Sequence, residues 1–126
     1  MKTVLRIGLV AVPVVIGVSS CRAPTEPLGP IVQTNTITIS NNTASNRNVE
    51  VALGSRVLFI NNDTRSHNMT SDPHPEHDDC PDLNQVGFLL PGEKRETGNL
   101  VEARTCGFHD HDNPSISGLH GFITIK

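Results

Sequence analysis

The chain has no tryptophan and no tyrosine, and its aromatic residues are four phenylalanines. Its core must therefore be built from valine, isoleucine and leucine, and such a core is modest enough that a cross-link or a bound ion would be a useful supplement. Helical periodicity is missing: apolar residues do not recur at three- and four-residue spacing, which excludes a helical bundle. Basic residues are scarce, 10 against 13 acidic, for a formal charge of −3. Two of them, Lys2 and Arg6, sit at the extreme N-terminus, so the rest of the chain is more acidic still. Neither nucleic acid nor an anionic lipid surface is expected as a partner. The sequence also lacks a Ser-His-Asp arrangement in matching context, a phosphate-binding glycine loop and an EF-hand loop.

What is present begins with an export signal. Met-Lys-Thr-Val-Leu-Arg is followed by an uncharged apolar run from Ile7 to Val18, about a dozen residues, too short for a spanning helix of about twenty. Pro13 weakens a helix there further. The ending Val18-Ser19-Ser20-Cys21 resembles a bacterial lipobox, whose cysteine becomes the lipidated first residue of the mature protein. Residues 1–20 read as a lipoprotein signal peptide, with Cys21 as the lipid anchor to a membrane outside the cytoplasm. Residues 21–33 carry three prolines and a glycine and read as a flexible tether. The folded domain is expected over 34–126, one unit by size. Cys80 and Cys106 remain, and in an oxidising compartment two remaining cysteines make a disulfide the default expectation.

Within the domain the strands announce themselves by alternation. Thr36-Ile37-Thr38-Ile39 is a half-buried strand, Val49, Val51 and Leu53 alternate up to Gly54, and Val57 to Ile60 is a buried run closed by Asn61-Asn62-Asp63. Ser71 to Asp82, with three prolines and five acids, is an exposed loop whose evident anchor is Cys80. Val86 to Leu90 is a short apolar strand before the turn Pro91-Gly92-Glu93, and the polar residues 94–102 read as an edge strand. Thr105 to Asp110 and Phe122 to Ile125 complete the set. Seven or eight short strands with turns between them make an all-β Greek-key sandwich.

All six histidines lie in the second half of the chain, in two groups: His67, His74 and His77, then His109, His111 and His120. Imidazoles clustered on distant loops of a β domain point to a metal site assembled by folding.

The series Val49-x-Val51-x-x-Gly54-x-x-Val57-x-Phe59-x-Asn61-x-Asp63, then His67, Leu90-Pro91-Gly92, Cys106-x2-His109 and Gly121-x-Ile123-x-Ile125 resembles the cupredoxins, the plastocyanin and azurin group of copper proteins. The resemblance implies copper at the end of the sandwich, with His67 as its first histidine ligand and an electron-transfer or copper-handling protein as partner. It leaves two alignments of the last loop open. In one, Cys106 is a thiolate ligand with His109, or His111 at the longer spacing, and the non-coordinating Leu119 stands where an axial methionine belongs: a type 1 blue site. In the other, Asp110 takes the thiolate position and Asn113 that of the second histidine, while Cys106 pairs with Cys80. The ligands would then be His67, His109 and His111, with Asp110, His74 and His77 as further candidates, and copper would be favoured over zinc by imidazole donors. Met69 reads as packing and His120 as structural or solvated. With no further acid–base constellation, the chain reads as a binding protein rather than an enzyme. A metal-free cupredoxin-like interaction module is a third reading.

Overall fold

The computed structural model describes residues 28–126; the segment read as a signal peptide, Cys21 and most of the stretch read as a tether lie outside the described residues. Ten strand segments form two sheets. In chain order they are β1 (Val32–Gln33), β2 (Thr36–Ser40), β3 (Thr43–Ala44), β4 (Asn48–Val51), β5 (Leu58–Asn61), β6 (His67–Ser71), β7 (Gly87–Leu89), β8 (Lys94–Glu96), β9 (Thr105–Asp110) and β10 (Gly121–Ile125). One sheet has the order β1-β4-β10-β9-β6-β7 and the other β3-β2-β5-β8. The count exceeds the expected seven or eight because β1 and β3 are two-residue pairings that no alternation could reveal. Val32 and Gln33, read as tether, pair in parallel with Val49 and Glu50, so the folded part starts two residues earlier than expected.

Alternation decides what each strand buries. Ile37 and Ile39 of β2, Phe59 of β5, Val49 and Val51 of β4, Met69 of β6, Phe108 of β9, and Ile123 and Ile125 of β10 all point between the sheets. Phe59 and Phe108 meet across that interior edge to face, centroids 5.5 Å apart, an arrangement that adds to the area they bury. Gly54 turns the chain from β4 toward β5 with φ +82°, a value costly for any residue bearing a Cβ. The polar stretch after β7 yields a short exposed strand, β8, at the edge of the smaller sheet. Two 3-10 turns, Pro81–Gln85 and Ser117–Leu119, each bury one leucine, Leu83 and Leu119.

Two features position the histidines. First, β6 and β9 are antiparallel neighbours, with Met69 opposite Asp110 and Thr70 opposite His109. Second, the chain leaving β6 returns toward β9, where Cys80 forms the expected disulfide with Cys106. The bridge fixes the far end of the 72–80 loop to a fully buried residue of the core.

Candidate metal centre

Along β9 the side chains of Cys106, Phe108 and Asp110 share the inner side, and Thr105, Gly107 and His109 the outer. Along β6, His67, Met69 and Ser71 are buried inward, while Asn68 and Thr70 face out. His67 and His109 therefore stand on opposite sides of the sheet. Where the sequence reading joins His67 to His109 and His111, the structure separates them, because residues in neighbouring strands meet only when they share a face.

At the inner pole, where the resemblance puts copper, His67 is held between two carboxylates. Its Nδ1 lies 2.8 Å from Asp110 Oδ2 and its Nε2 3.2 Å from Asp63 Oδ2. Asp110 also accepts the backbone N–H of Asn68 at 3.0 Å and of Asp112 at 3.1 Å, and the Asn113 amide at 2.9 Å. Burial pushes the Asp110 carboxyl up, but these hydrogen bonds, that of His67 foremost, outweigh it and hold the group below its ordinary value. Asp63 is likewise held down, chiefly by the Asn42 N–H. Cys106 is in the disulfide, so the type 1 alternative, with Cys106 as thiolate, is overturned. Leu119 packs in the core. With both nitrogens of His67 engaged and both cysteines of the described residues joined in the disulfide, the residues at this pole do not fit a thiolate copper centre.

The outer side is different. The 72–80 loop folds over it so that the ligand atoms of His74, His77 and His109 lie within 4.8 Å of one another. His111 joins them: its Nδ1 is 2.8 Å from His77 Nε2, and its ring centroid is 5.0 Å from that of His74. His120, read as structural or solvated, stacks on His109 with centroids 5.6 Å apart while its Nε2 bonds the Pro114 carbonyl at 2.8 Å.

The hydrogen bonds around the rings say which nitrogen carries the lone pair, and in His77 that lone pair accepts the Nδ1–H of His111 at 2.8 Å. His77 Nδ1 is 2.8 Å from the Ser71 carbonyl oxygen, and a nitrogen that bonds a carbonyl must carry the proton, which leaves Nε2 with the lone pair. His109 Nδ1 is 2.6 Å from Asp72 Oδ1, so by the same logic its Nε2 carries the lone pair. That Nε2 is buried with no hydrogen-bond partner, a costly state for a polar atom unless something else binds it. Burial pushes the His109 imidazole down, outweighing the Asp72 carboxylate that pushes it up, and the ring sits below the usual histidine value. It is held as a neutral imidazole, the form that binds metals.

These atoms fit an ion. Bonds of about 2.0–2.1 Å to imidazole place ligand nitrogens ~3 Å apart, closer than the 4.8 Å within which these atoms lie, and His74 is exposed, with room for its ring to turn inward. Neither Asp72 nor Gly107 is a defining residue of the sequence motifs, and Asp63 enters them only as part of the Asn61-x-Asp63 turn. The available signal was the glycine in the middle of β9, a position where something is expected to approach the backbone.

The chain matches no family model and no curated protein. Solved structures do resemble it. A purple cupredoxin from Nitrosopumilus maritimus is 19% identical over 72% of this chain and 98% of that one, with a TM-score of 0.55. The oxidized plastocyanin of Dryopteris crassirhizoma is 18% identical over 72% and 99%, TM-score 0.56. A reduced amicyanin mutant is 17% identical over 72% and 80%, TM-score 0.56. The chain thus has a cupredoxin-like fold. At these identities the likeness is one of fold, and the inner pole described above departs from the ligand set that the resemblance implies.

Proposed function

We propose that this is an extracytoplasmic copper-binding protein whose ion is held on the outer face of the larger sheet by His74, His77 and His109, with His111 as the fourth imidazole. The buried, unpartnered Nε2 of His109, in a ring whose centroid lies 5.5 Å from that of His74 and 5.0 Å from that of His77, carries this reading. The metal preference rests on the donors: among divalent first-row ions, imidazole sites hold Cu(II) most tightly. One structural neighbour, an amicyanin, is described in a reduced Cu(I) form. Bound copper would supply a redox-active centre, and the chain's own part is to present neutral imidazoles and to fix two of the rings through Asp72 and Ser71. The protein would act in copper handling or electron transfer with a protein partner, not as an enzyme. An oxidising compartment agrees with the Cys80–Cys106 bridge, and tethering through Cys21 follows from the lipobox-like ending.

Adding Cu(II) to metal-free protein tests the reading. A complex tighter than about micromolar, pale in colour, with weak ligand-field absorption and nitrogen hyperfine structure in its EPR spectrum, is expected. An intense thiolate-to-copper band, or no binding, would contradict it. Zinc, the next ion in affinity for the same donors, should be displaced by copper.

A further inference from the structure

Gly107 lies in the middle of β9, where glycine costs conformational entropy and offers nothing to pack. Its outer side is filled by a carboxylate. A methyl group at Gly107 would fall on Asp72 Oδ2 and lie 2.8 Å from Asp72 Cγ. The Asp72 N–H bonds the Gly107 carbonyl at 3.0 Å, and the Asp72 carbonyl accepts the N–H of Asp79 at 3.0 Å, closing its own loop. From this seat Oδ1 reaches His109 Nδ1 at 2.6 Å. The Asp72 side chain remains 37% exposed while that of His109 is 1% exposed, so the carboxylate borders solvent and the ring it holds does not.

We propose that Asp72 is the positioning residue of the histidine centre and that position 107 is glycine in order to admit its carboxylate. The inference rests on the reading of His74, His77 and His109 as ligands. Asp72 accepts the Nδ1–H of His109, which selects the tautomer whose Nε2 carries the lone pair and sets the plane of the ring toward His74 and His77. A carboxylate behind a metal-binding imidazole also raises its basicity, so the ion favoured is a divalent one that prefers imidazole, Cu(II) foremost.

Wild-type protein and the variants Asp72→Ala, Asp72→Asn and Gly107→Ala test this through three readouts: calorimetry with Cu(II), the thermal midpoint without metal, and the His109 tautomer by nitrogen NMR of histidine-labelled metal-free protein. Asp72→Ala should weaken Cu(II) binding about ten- to a hundredfold, and His109 should no longer hold the proton on Nδ1 alone. Asp72→Asn, whose amide oxygen still accepts from Nδ1–H, should recover part of both losses. Gly107→Ala should reproduce the Asp72→Ala loss, and should it fail to fold, the two Asp72 variants decide. If Asp72→Ala keeps the wild-type affinity and tautomer while the thermal midpoint falls, Asp72 is a structural residue and the inference is overturned alone. If wild-type protein does not bind Cu(II), the histidine centre falls and takes this inference with it.

Discussion

Replacing Asp110 by alanine should destabilise the domain by about 3–5 kcal/mol, because four groups lose one acceptor at once and a buried donor left unsatisfied costs about 1–3 kcal/mol. Small domains are stable by about 5–15 kcal/mol in total, so the variant is expected near the limit of folding. His67 is fully buried, and its Nδ1 bonds Asp110; the Asn68 N–H, the Asp112 N–H and the Asn113 amide lose the same acceptor. The same contacts set the acid stability. Because the folded-state value of Asp110 lies below its ordinary one, the unfolded chain takes up a proton first as pH falls. The contribution is complete above the ordinary carboxylate range, about pH 4, and is lost as pH drops through the folded value. Urea denaturation across pH 7 to 3 should show the wild-type stability declining steeply below about pH 4 and the Asp110→Ala variant declining less. Parallel curves would mean that the Asp110 carboxyl is not held below its ordinary value in the folded protein.

Removing the disulfide should cost about as much. With a sequence separation of 26 residues, the loop-entropy relation gives about 3.5 kcal/mol. The double variant Cys80→Ala, Cys106→Ala avoids burying a hydroxyl at Cys106, which is fully enclosed. A lower denaturation midpoint is expected, together with weaker Cu(II) binding, because the loop bearing His74 and His77 loses its attachment to β9. An unchanged midpoint would show that the 72–80 loop is held by its hydrogen bonds alone, among them His77 N–H to the Pro73 carbonyl and Asn84 to the His77 carbonyl.

The architecture was legible in the chain wherever alternation ran for four residues or more, as in β2 and β9. It was illegible where pairing rather than pattern makes the strand, as at Val32–Gln33. The disulfide was legible from cysteine parity in a chain whose N-terminus reads as an export signal. The histidine cluster was legible in its residues but not in its assembly. Matching His67 to a family position drew it toward His109, although the alternation through Cys106, Phe108 and Asp110 already put His109 on the other side of β9. What no local pattern contains is the path of the 72–80 loop, since its return to the outer face depends on β6 pairing with a strand some forty residues downstream and on the bridge at Cys80. Asp72 escaped notice for the same reason: one acid among five in a solvated loop is distinguished only by the glycine it rests against.

The location of the ion is open to direct observation by anomalous scattering at the copper edge from crystals grown with Cu(II). A single peak about 2 Å from the Nε2 atoms of His77 and His109, on the outer side of β9, is the expected result. A peak beside His67 and Asn113 at the inner pole, or none at either place, would contradict it.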